Sequence, residues 1–475
     1  MVMGELVQET EVLVIGGGPG GYSAAFRAAD LGLDVTLVDP GDRPGGACLF
    51  RGCIPSKTFL YLSELIRDAS RAKSMGITFE KPKIDLEQLR TWKEKVIDNL
   101  SAGLMTLSNR RDIQMIKGRA EFETSSSVRI HDSDVRHIKF RHAILSTGSY
   151  ATPFPGTDLK KGGRVMNSTG ALELADIPQS LLILGGGYVG LELGSVYAAL
   201  GSRVHLVERG DRLLPGVDAD LVKPLFKRLE DIFESIELNT TISALKEDES
   251  RVTVEYEGEK KKTQQVFDRV LIAIGRKPKV EGLGLENTKL IMDSHGFVTV
   301  DEQQRTGDER IFAVGDVVGG VMLAHKALRE GKVAAEVIAG EPSAFDARAI
   351  PAVVYTDPQI AWCGLTEEQA RKQNRSISVQ RFPWKFSGRA MTMDATEGLT
   401  KMIVDPGSGR ILGIGITGRD TEGLISEGVL AIEMAALAQD VALSIHPHPT
   451  LSETEGEAAE IFLGTATHVL PKKKS

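Results

Sequence analysis

At 475 residues, with 41% hydrophobic and 26% charged residues, the chain has an ordinary globular composition but is too long for a single core, and about three domains are expected. Its formal net charge of −8 argues against nucleic-acid binding, and its one basic run, Lys472 to Lys474, reads as a solvated tail. No stretch approaches the ~20 apolar residues of a membrane span, the acidic N-terminus leads into a strand without a targeting signal, and three cysteines make no secretory disulfide framework, so a cytoplasmic location is expected.

In chain order, the first element is the apolar run Glu11 to Ile15. It leads into Gly16-Gly17-Gly18-Pro19-Gly20-Gly21, then a helix over Tyr22 to Ala29 and a second strand, Val35 to Asp39. Gly16, Gly18 and Gly21 supply the GxGxxG spacing, which combines a tight turn, room for a pyrophosphate and close helix–strand packing. The helix N-terminus offers free N–H groups to phosphate. Asp39, 18 residues past the last glycine, is placed to accept hydrogen bonds from a ribose.

Cys48 and Cys53 follow, with four residues between them, in Gly45 to Lys57. If they lie on the first turn of a helix starting near Ile54, their sulfurs reach bonding distance, and the helix dipole lowers the pKa of Cys53. Two other readings compete, a zinc half-site and a pair of inert buried thiols. Zinc needs two further ligands, and Cys363 has no Cys or His partner in the sequence; it reads as a core cysteine.

Arg119 to His131 alternates apolar and polar residues, as a small antiparallel meander does, and His142 to Gly148 reads as a strand closing the first unit. The nucleotide-binding pattern then recurs. Leu181 to Leu184 precedes Gly185-Gly186-Gly187-Tyr188-Val189-Gly190, a helix runs to Leu200, and a strand ends in Glu208, again 18 residues beyond its last glycine. Two complete units point to two dinucleotide sites, where a lone motif would be weak. An acid at Glu208 repels a 2′-phosphate and favours NAD over NADP. Ile242 to Tyr256 reads as a second meander, Val270 to Gly275 as the strand closing this unit, and Ile311 to Asp316 as a buried strand ending in Gly-Asp. After Pro342 no phosphate-type glycine turn occurs, which marks a further domain.

The cysteine stretch, the two glycine turns, Ala313-Val314-Gly315-Asp316 and His446-Pro447-His448-Pro449-Thr450-Leu451-Ser452-Glu453 together resemble the dihydrolipoamide dehydrogenase family, of the class I pyridine nucleotide–disulfide oxidoreductases, and the likeness is to its bacterial type. The resemblance runs over essentially the whole chain. It implies an α/β fold with two Rossmann-like dinucleotide-binding domains and an α+β C-terminal dimerisation domain. The implied FAD domain takes residues 1–150 and 277–345, the NAD domain 151–276 and the interface domain 346–475. FAD would rest on Gly16, Gly18, Gly21, Asp39, Lys57, Gly148, Asp316 and Ala324, and NAD on Gly185, Gly187, Gly190, Glu208 and Gly275.

By the same resemblance Cys48 and Cys53 form the redox disulfide, with Cys48 exchanging with substrate and Cys53 next to the flavin. His448 is then the catalytic base, oriented by Glu453 and serving the other subunit of a homodimer. Lys57 and Glu192 form a buried pair beside the flavin, Asp316 binds the ribityl chain, and the His448–Pro449 peptide is cis. No metal is implied. The implied reaction is NAD-linked oxidation of dihydrolipoyl groups carried by lipoyl domains of 2-oxo acid dehydrogenase complexes or by the glycine-cleavage H protein. Competing readings are a glutathione- or mercuric-reductase-like enzyme and a non-catalytic flavoprotein subunit. Two departures stand out. Leu49-Phe50-Arg51-Gly52 replaces the usual Leu-Asn-Val-Gly, and Tyr188 is more typical of the glutathione reductase branch.

Overall fold

The structure is a computed structural model that describes residues 7–157, 159–160, 162–258 and 261–470. The Lys472 to Lys474 tail lies outside the described residues. The first glycine turn joins β1 (Val7–Ile15) to α1 (Pro19–Asp30), and β2 (Val35–Asp39) follows. Val12, Leu13 and Val14 are all fully buried, so both faces of β1 are covered, as its unbroken apolar run requires. The chain continues through α2 (Gly46–Arg51), α3 (Cys53–Arg71), α4 (Leu86–Asn109), β3 (Gln114–Lys117), β4 (Arg119–Thr124), β5 (Ser127–His131) and β6 (His137–Leu145). Strands β3, β2, β1 and β6 pair in parallel, and β17 (Ile311–Ala313) closes the far side of β6. The meander over Arg119 to His131 is not a separate layer. It pairs with the first half of β6, a strand long enough to serve both sheet regions.

The second unit repeats this plan. After β7 (Ser149–Ala151) come β8 (Val165–Met166), α5 (Ser168–Glu173), β9 (Ser180–Leu184), α6 (Tyr188–Leu200), β10 (Arg203–Val207), α7 (Ala219–Ile232) and β11 (Ser235–Glu237). A meander of β12 (Thr241–Glu247), β13 (Val252–Gly258) and β14 (Lys261–Phe267) then leads to β15 (Arg269–Ile272). The parallel sheet runs β11-β10-β9-β15-β8. β16 (Arg276–Pro278) pairs antiparallel with β7, so the chain enters and leaves this unit side by side. α8 (Ala324–Ile338) then packs back along α1.

The last region is an antiparallel sheet ordered β18-β19-β22-β21-β20. Its elements are β18 (Ala352–Val354), β19 (Gln359–Gly364), α9 (Glu367–Lys372), β20 (Ser378–Pro383), α10 (Gly388–Thr392), β21 (Leu399–Val404), β22 (Ile411–Gly418), α11 (Thr421–Glu433), α12 (Ala438–Leu443) and α13 (Glu453–Leu463). A buried polar chain anchors the start of α13. Trp384 Nε1 donates to Thr400 Oγ1 (2.9 Å), Thr400 and Thr454 share a hydroxyl contact of 2.7 Å, and Thr454 donates to the Leu451 carbonyl (2.7 Å). Since Thr454 has one proton to give, Thr400 must be the donor between the two hydroxyls. Asp357, reached by Arg71 (2.9 Å), Arg228 (3.3 Å) and Arg67 (3.5 Å), ties α3 and α7 to this sheet.

Among the described residues, one group of carboxylates has the geometry to hold a cation: Asp218, Asp220 and Glu367. The Lys401 ammonium occupies its centre, 2.7, 2.7 and 2.8 Å from the three, with a side chain only 1% exposed. Cys363 is buried in the core of this region, where burial pushes its thiol up to about 12. Among the described residues no helix is long and apolar enough to cross a membrane.

Candidate active site

The two glycine turns are built alike. At Gly16 (φ +103°) and Gly185 (φ +110°) a Cβ would sit 2.3 and 2.4 Å from the carbonyl oxygens of Ser146 and Ala273, so no side chain fits. At Gly21 and Gly190 a Cβ would meet the backbone of the turn itself, at 1.8 and 2.2 Å. The middle glycines face open space instead, with nothing within 4 Å of Gly187 and only Gly46 at 4.0 Å from Gly18. The terminal acids behave alike too. Asp39 accepts from the amides of Gly17 and Gly41 (both 2.7 Å), and Glu208 from those of Gly186 (2.7 Å) and Gly210 (2.6 Å). Each carboxylate is thus aimed at its glycine turn by backbone amides and retains lone pairs for a ligand.

The cysteines do not share one helix turn. Gly52, at φ −146° and ψ −107°, breaks the helix, leaving Cys48 in the short α2 and Cys53 as the first residue of α3. The sulfurs still meet. Both are free thiols in mutual hydrogen-bond contact, Cys48 half-buried and Cys53 the more exposed. Their acidities split. The hydrogen bond to Cys53, then burial, pushes the Cys48 thiol far up. That same hydrogen bond, aided by the Lys57 ammonium and opposed by burial, brings Cys53 down to about 7. The pair thus favours negative charge on Cys53 over Cys48. Of the unusual residues between them, Phe50 lies under the Arg43 guanidinium (5.5 Å to the ring centre), while Arg51 is exposed to solvent.

One helical turn along α3, Lys57 Nζ bonds both oxygens of Glu192 (2.8 and 3.1 Å). Glu192, only 3% exposed on α6, also accepts from the Tyr355 amide (3.0 Å), and the Tyr355 ring faces the Lys57 ammonium at 4.3 Å. These contacts join both glycine-turn units and the C-terminal sheet at one point beside Cys53. Asp316 lies in a 3-10 turn, Gly315–Val318, that follows β17; Ser149 donates to it, and Arg276, which donates to Ser149 Oγ (2.7 Å), stands 3.8 Å away. Gly148 (φ +73°) and Gly275 (φ +119°) immediately precede these two partners in the chain. Ala324 opens α8, presenting its first-turn amides without a capping side chain. Tyr188 opens α6 at 42% exposure, within electrostatic reach of Arg276, Asp316, Glu192 and Cys53.

His448 and Glu453 stand apart from this cluster, on the C-terminal region. His448 Nδ1 contacts Glu453 Oε1 at 2.8 Å, and Glu453 Oε2 accepts from the Thr450 amide (2.7 Å). Burial alone would raise Glu453, but the Thr450 amide and His448 outweigh it and hold the carboxyl below its ordinary value. The His448 side chain is 74% exposed. The His448–Pro449 peptide is cis, as is Asp357–Pro358.

Comparison with known proteins gives this geometry its context. Residues 10–331 match the pyridine nucleotide-disulphide oxidoreductase family, and residues 350–459 its dimerisation domain. The chain belongs to the pyridine nucleotide-disulphide oxidoreductase family. Similar chains include dihydrolipoyl dehydrogenases of Buchnera aphidicola (43% identity, 98% of each chain), Vibrio parahaemolyticus (42%, 98% of each) and Geobacillus stearothermophilus (41%, covering 99% and 100%). Among solved structures, LpdA of Mycobacterium tuberculosis superposes with a TM-score of 0.88 at 25% identity, covering 95% of this chain and 99% of that one. The HOCl-induced flavoprotein disulfide reductase RclA of Escherichia coli gives 0.84 at 28%, with the same coverage.

This oxidoreductase family works with a flavin and a nicotinamide nucleotide, and the residues fit both. Two cradles stand open at their middle glycines, each beside an oriented carboxylate and a helix N-terminus. Tyr355, Ser149 and Arg276 completed the site without any sequence signal, because each joins it across more than a hundred positions.

One acid of this region is out of place. Glu455, on the first turn of α13, is 0% exposed, and neither of its oxygens has a hydrogen-bond partner among the described residues. Burial first, then the neighbouring Glu427, raises its carboxyl well above the usual 4.5. The native form thus stays protonated where the unfolded chain ionises, so stability falls as pH rises from the unfolded value toward the folded one. Glu455→Gln should unfold at a higher temperature than the parent, with a gain that widens from pH 4.5 to neutrality. Parallel melting curves across that range would show a carboxyl that is already solvated.

Proposed function

We propose that the protein is a dihydrolipoyl dehydrogenase, oxidising protein-bound dihydrolipoamide to lipoamide and reducing NAD+ to NADH. The observation that carries this reading is the asymmetric thiol pair beside Lys57 and Glu192, on a chain that also bears an outward-facing His448–Glu453 dyad. The full-length likeness to dihydrolipoyl dehydrogenases supports the substrate. Glu208, turned toward the second glycine turn, supports NAD over NADP by charge.

On this reading FAD is held by Gly16, Gly18, Gly21, Asp39, Lys57, Gly148, Asp316 and Ala324. NAD is held by Gly185, Gly187, Gly190, Glu208 and Gly275. Residues 1–150 with 277–345, 151–276 and 346–475 act as the FAD, NAD and interface domains, a division supported by the paired entry and exit strands β7 and β16. The dimerisation match supports a homodimer in which His448 serves the opposite subunit, with lipoyl domains or the glycine-cleavage H protein as carriers.

The chemistry of the residues then follows in order. His448 Nε2, made more basic by Glu453, takes a proton from one thiol of dihydrolipoamide. The resulting thiolate attacks the sulfur of Cys48 in the oxidised pair, a mixed disulfide forms, and Cys53 leaves as the thiolate its environment favours. The second substrate thiol displaces Cys48, which picks up the proton, and lipoamide departs with its disulfide closed. FAD, held by the residues named above, would supply a two-electron acceptor to reoxidise the pair and a hydride source for NAD+. Lys57 provides a positive charge there, and Glu192 offsets the cost of burying it.

The test is a steady-state comparison of the purified dimer with two substrate pairs. Dihydrolipoamide with NAD+ should turn over at rates typical of enzymes, and glutathione disulfide with NADPH should give background only. The reverse result would reassign the chain to the glutathione reductase branch that Tyr188 resembles.

A further inference from the structure

The loop from Ser444 to Ser452 carries two histidine–glutamate pairs, and they are built for different work. Among the described residues His448 has a hydrogen-bond partner at Nδ1 alone, and its side chain is 74% exposed. His446 is the opposite, with a side chain only 11% exposed and both ring nitrogens engaged. Its Nε2 lies 2.9 Å from Glu427 Oε1 on α11, and its Nδ1 lies 3.1 Å from the Ser444 carbonyl oxygen. A carboxylate and a carbonyl both accept, so both nitrogens must donate. The ring is then an imidazolium with no lone pair for proton abstraction.

His446 also rests on the helix that orients the other histidine. A Cβ at Gly456, on the first turn of α13, would stand 3.0 Å from its Nδ1 and 3.1 Å from its Cε1, so the ring packs directly on that backbone. Glu453, which holds His448, is the first residue of the same helix. The loop's other anchors lie on either side of His448: Thr450 donates its hydroxyl to the Pro447 carbonyl (2.7 Å) and its amide to Glu453 (2.7 Å), and Ser444 donates to the Asp440 carbonyl (2.8 Å). Ile445 is 98% exposed, and Leu451 is the one buried residue from Ser444 to Ser452.

We propose that His446 and Glu427 are a positioning pair for His448, clamping the loop between α11 and the start of α13 so that the dyad keeps its geometry. The inference rests on His448 being the base. The groups facing His446 are Glu427 from α11, and Glu453 and Glu460 from α13, while buried Glu455 faces Glu427 from behind. The hydrogen bond to Glu427 raises the imidazole of His446 above its usual 6.5. The sign follows: the clamp is fully present below 6.5 and is lost as pH rises through the raised native value.

The experiment uses the FAD-loaded dimer of His446→Gln, with Glu427→Gln as a milder variant whose amide oxygen still accepts from Nε2. Two assays separate the steps: dihydrolipoamide with NAD+, which needs the dyad, and NADH with ferricyanide, which takes electrons at the flavin. His446→Gln should lose on the order of 100-fold in lipoamide turnover, the scale of an ångström-level misplacement. The alkaline limb of its pH–rate profile should flatten, since the variant has no clamp to lose as pH rises, and the ferricyanide rate should hold. Glu427→Gln should show the same pattern to a smaller degree. Parent-like lipoamide turnover and an unchanged alkaline limb would overturn the proposal, as would a parallel fall in both assays for both variants. His448→Gln is the control. If it also retains full turnover, the reading of the base falls and takes the clamp with it; if only His446→Gln does, the clamp alone falls.

Discussion

Replacing Cys48 with serine should lower dihydrolipoamide turnover by roughly three orders of magnitude or more, on the scale seen when a nucleophilic catalytic residue is removed. The prediction follows from the division of labour between the sulfurs. Serine cannot form the mixed disulfide, while Cys53 keeps its place on α3 beside Lys57 and would remain as a lone thiol. Its pKa, now about 7, should rise, because the largest factor lowering it is the Cys48 hydrogen bond. NADH-driven reduction of ferricyanide should persist, since it bypasses the pair. A Cys48→Ser enzyme with full lipoamide activity would refute the scheme, and one that has lost both activities would indicate a flavin site damaged by the change.

The second large effect concerns stability. Lys401→Met should destabilise the fold by about 3 kcal/mol, near the lower end for breaking a buried ion pair, because Asp220 and Glu367 each retain about a quarter of their exposure and water can soften their repulsion. Asp218, 8% exposed, has less relief. The pH dependence should change as well. Burial would raise Asp220, but the Lys401 and Arg381 contacts outweigh it and leave the carboxyl below 3.8. That contribution is present above the unfolded value and disappears as pH falls through the depressed native one. Parent and variant should therefore converge in urea-unfolding midpoint as the medium becomes acid. An unchanged midpoint at neutral pH would mean that the three carboxylates do not depend on the lysine.

What the amino-acid sequence determined by itself is the local chemistry. The glycine turns, the acids closing each second strand and the cysteine spacing were legible because each depends on backbone conformations reached within about twenty residues. Only glycine fits at Gly16 and Gly185, and that restriction is written in the residue itself. The motif around His448 was legible as a resemblance, down to its cis proline. The tertiary structure decided the rest. Gly52 placed the cysteines on two helices rather than one, a local break that spacing could not reveal. Glu192 became a buried partner of both Lys57 and Tyr355, across 135 and 163 positions, only because three regions pack at that point. His446 gained its partner because α11 brings Glu427 to it, and the Glu455 carboxyl is pushed toward its neutral form because the first turn of α13, which carries it, is buried. Side-chain pairing and the loss of water are properties of packed elements, and no run of neighbouring residues contains them.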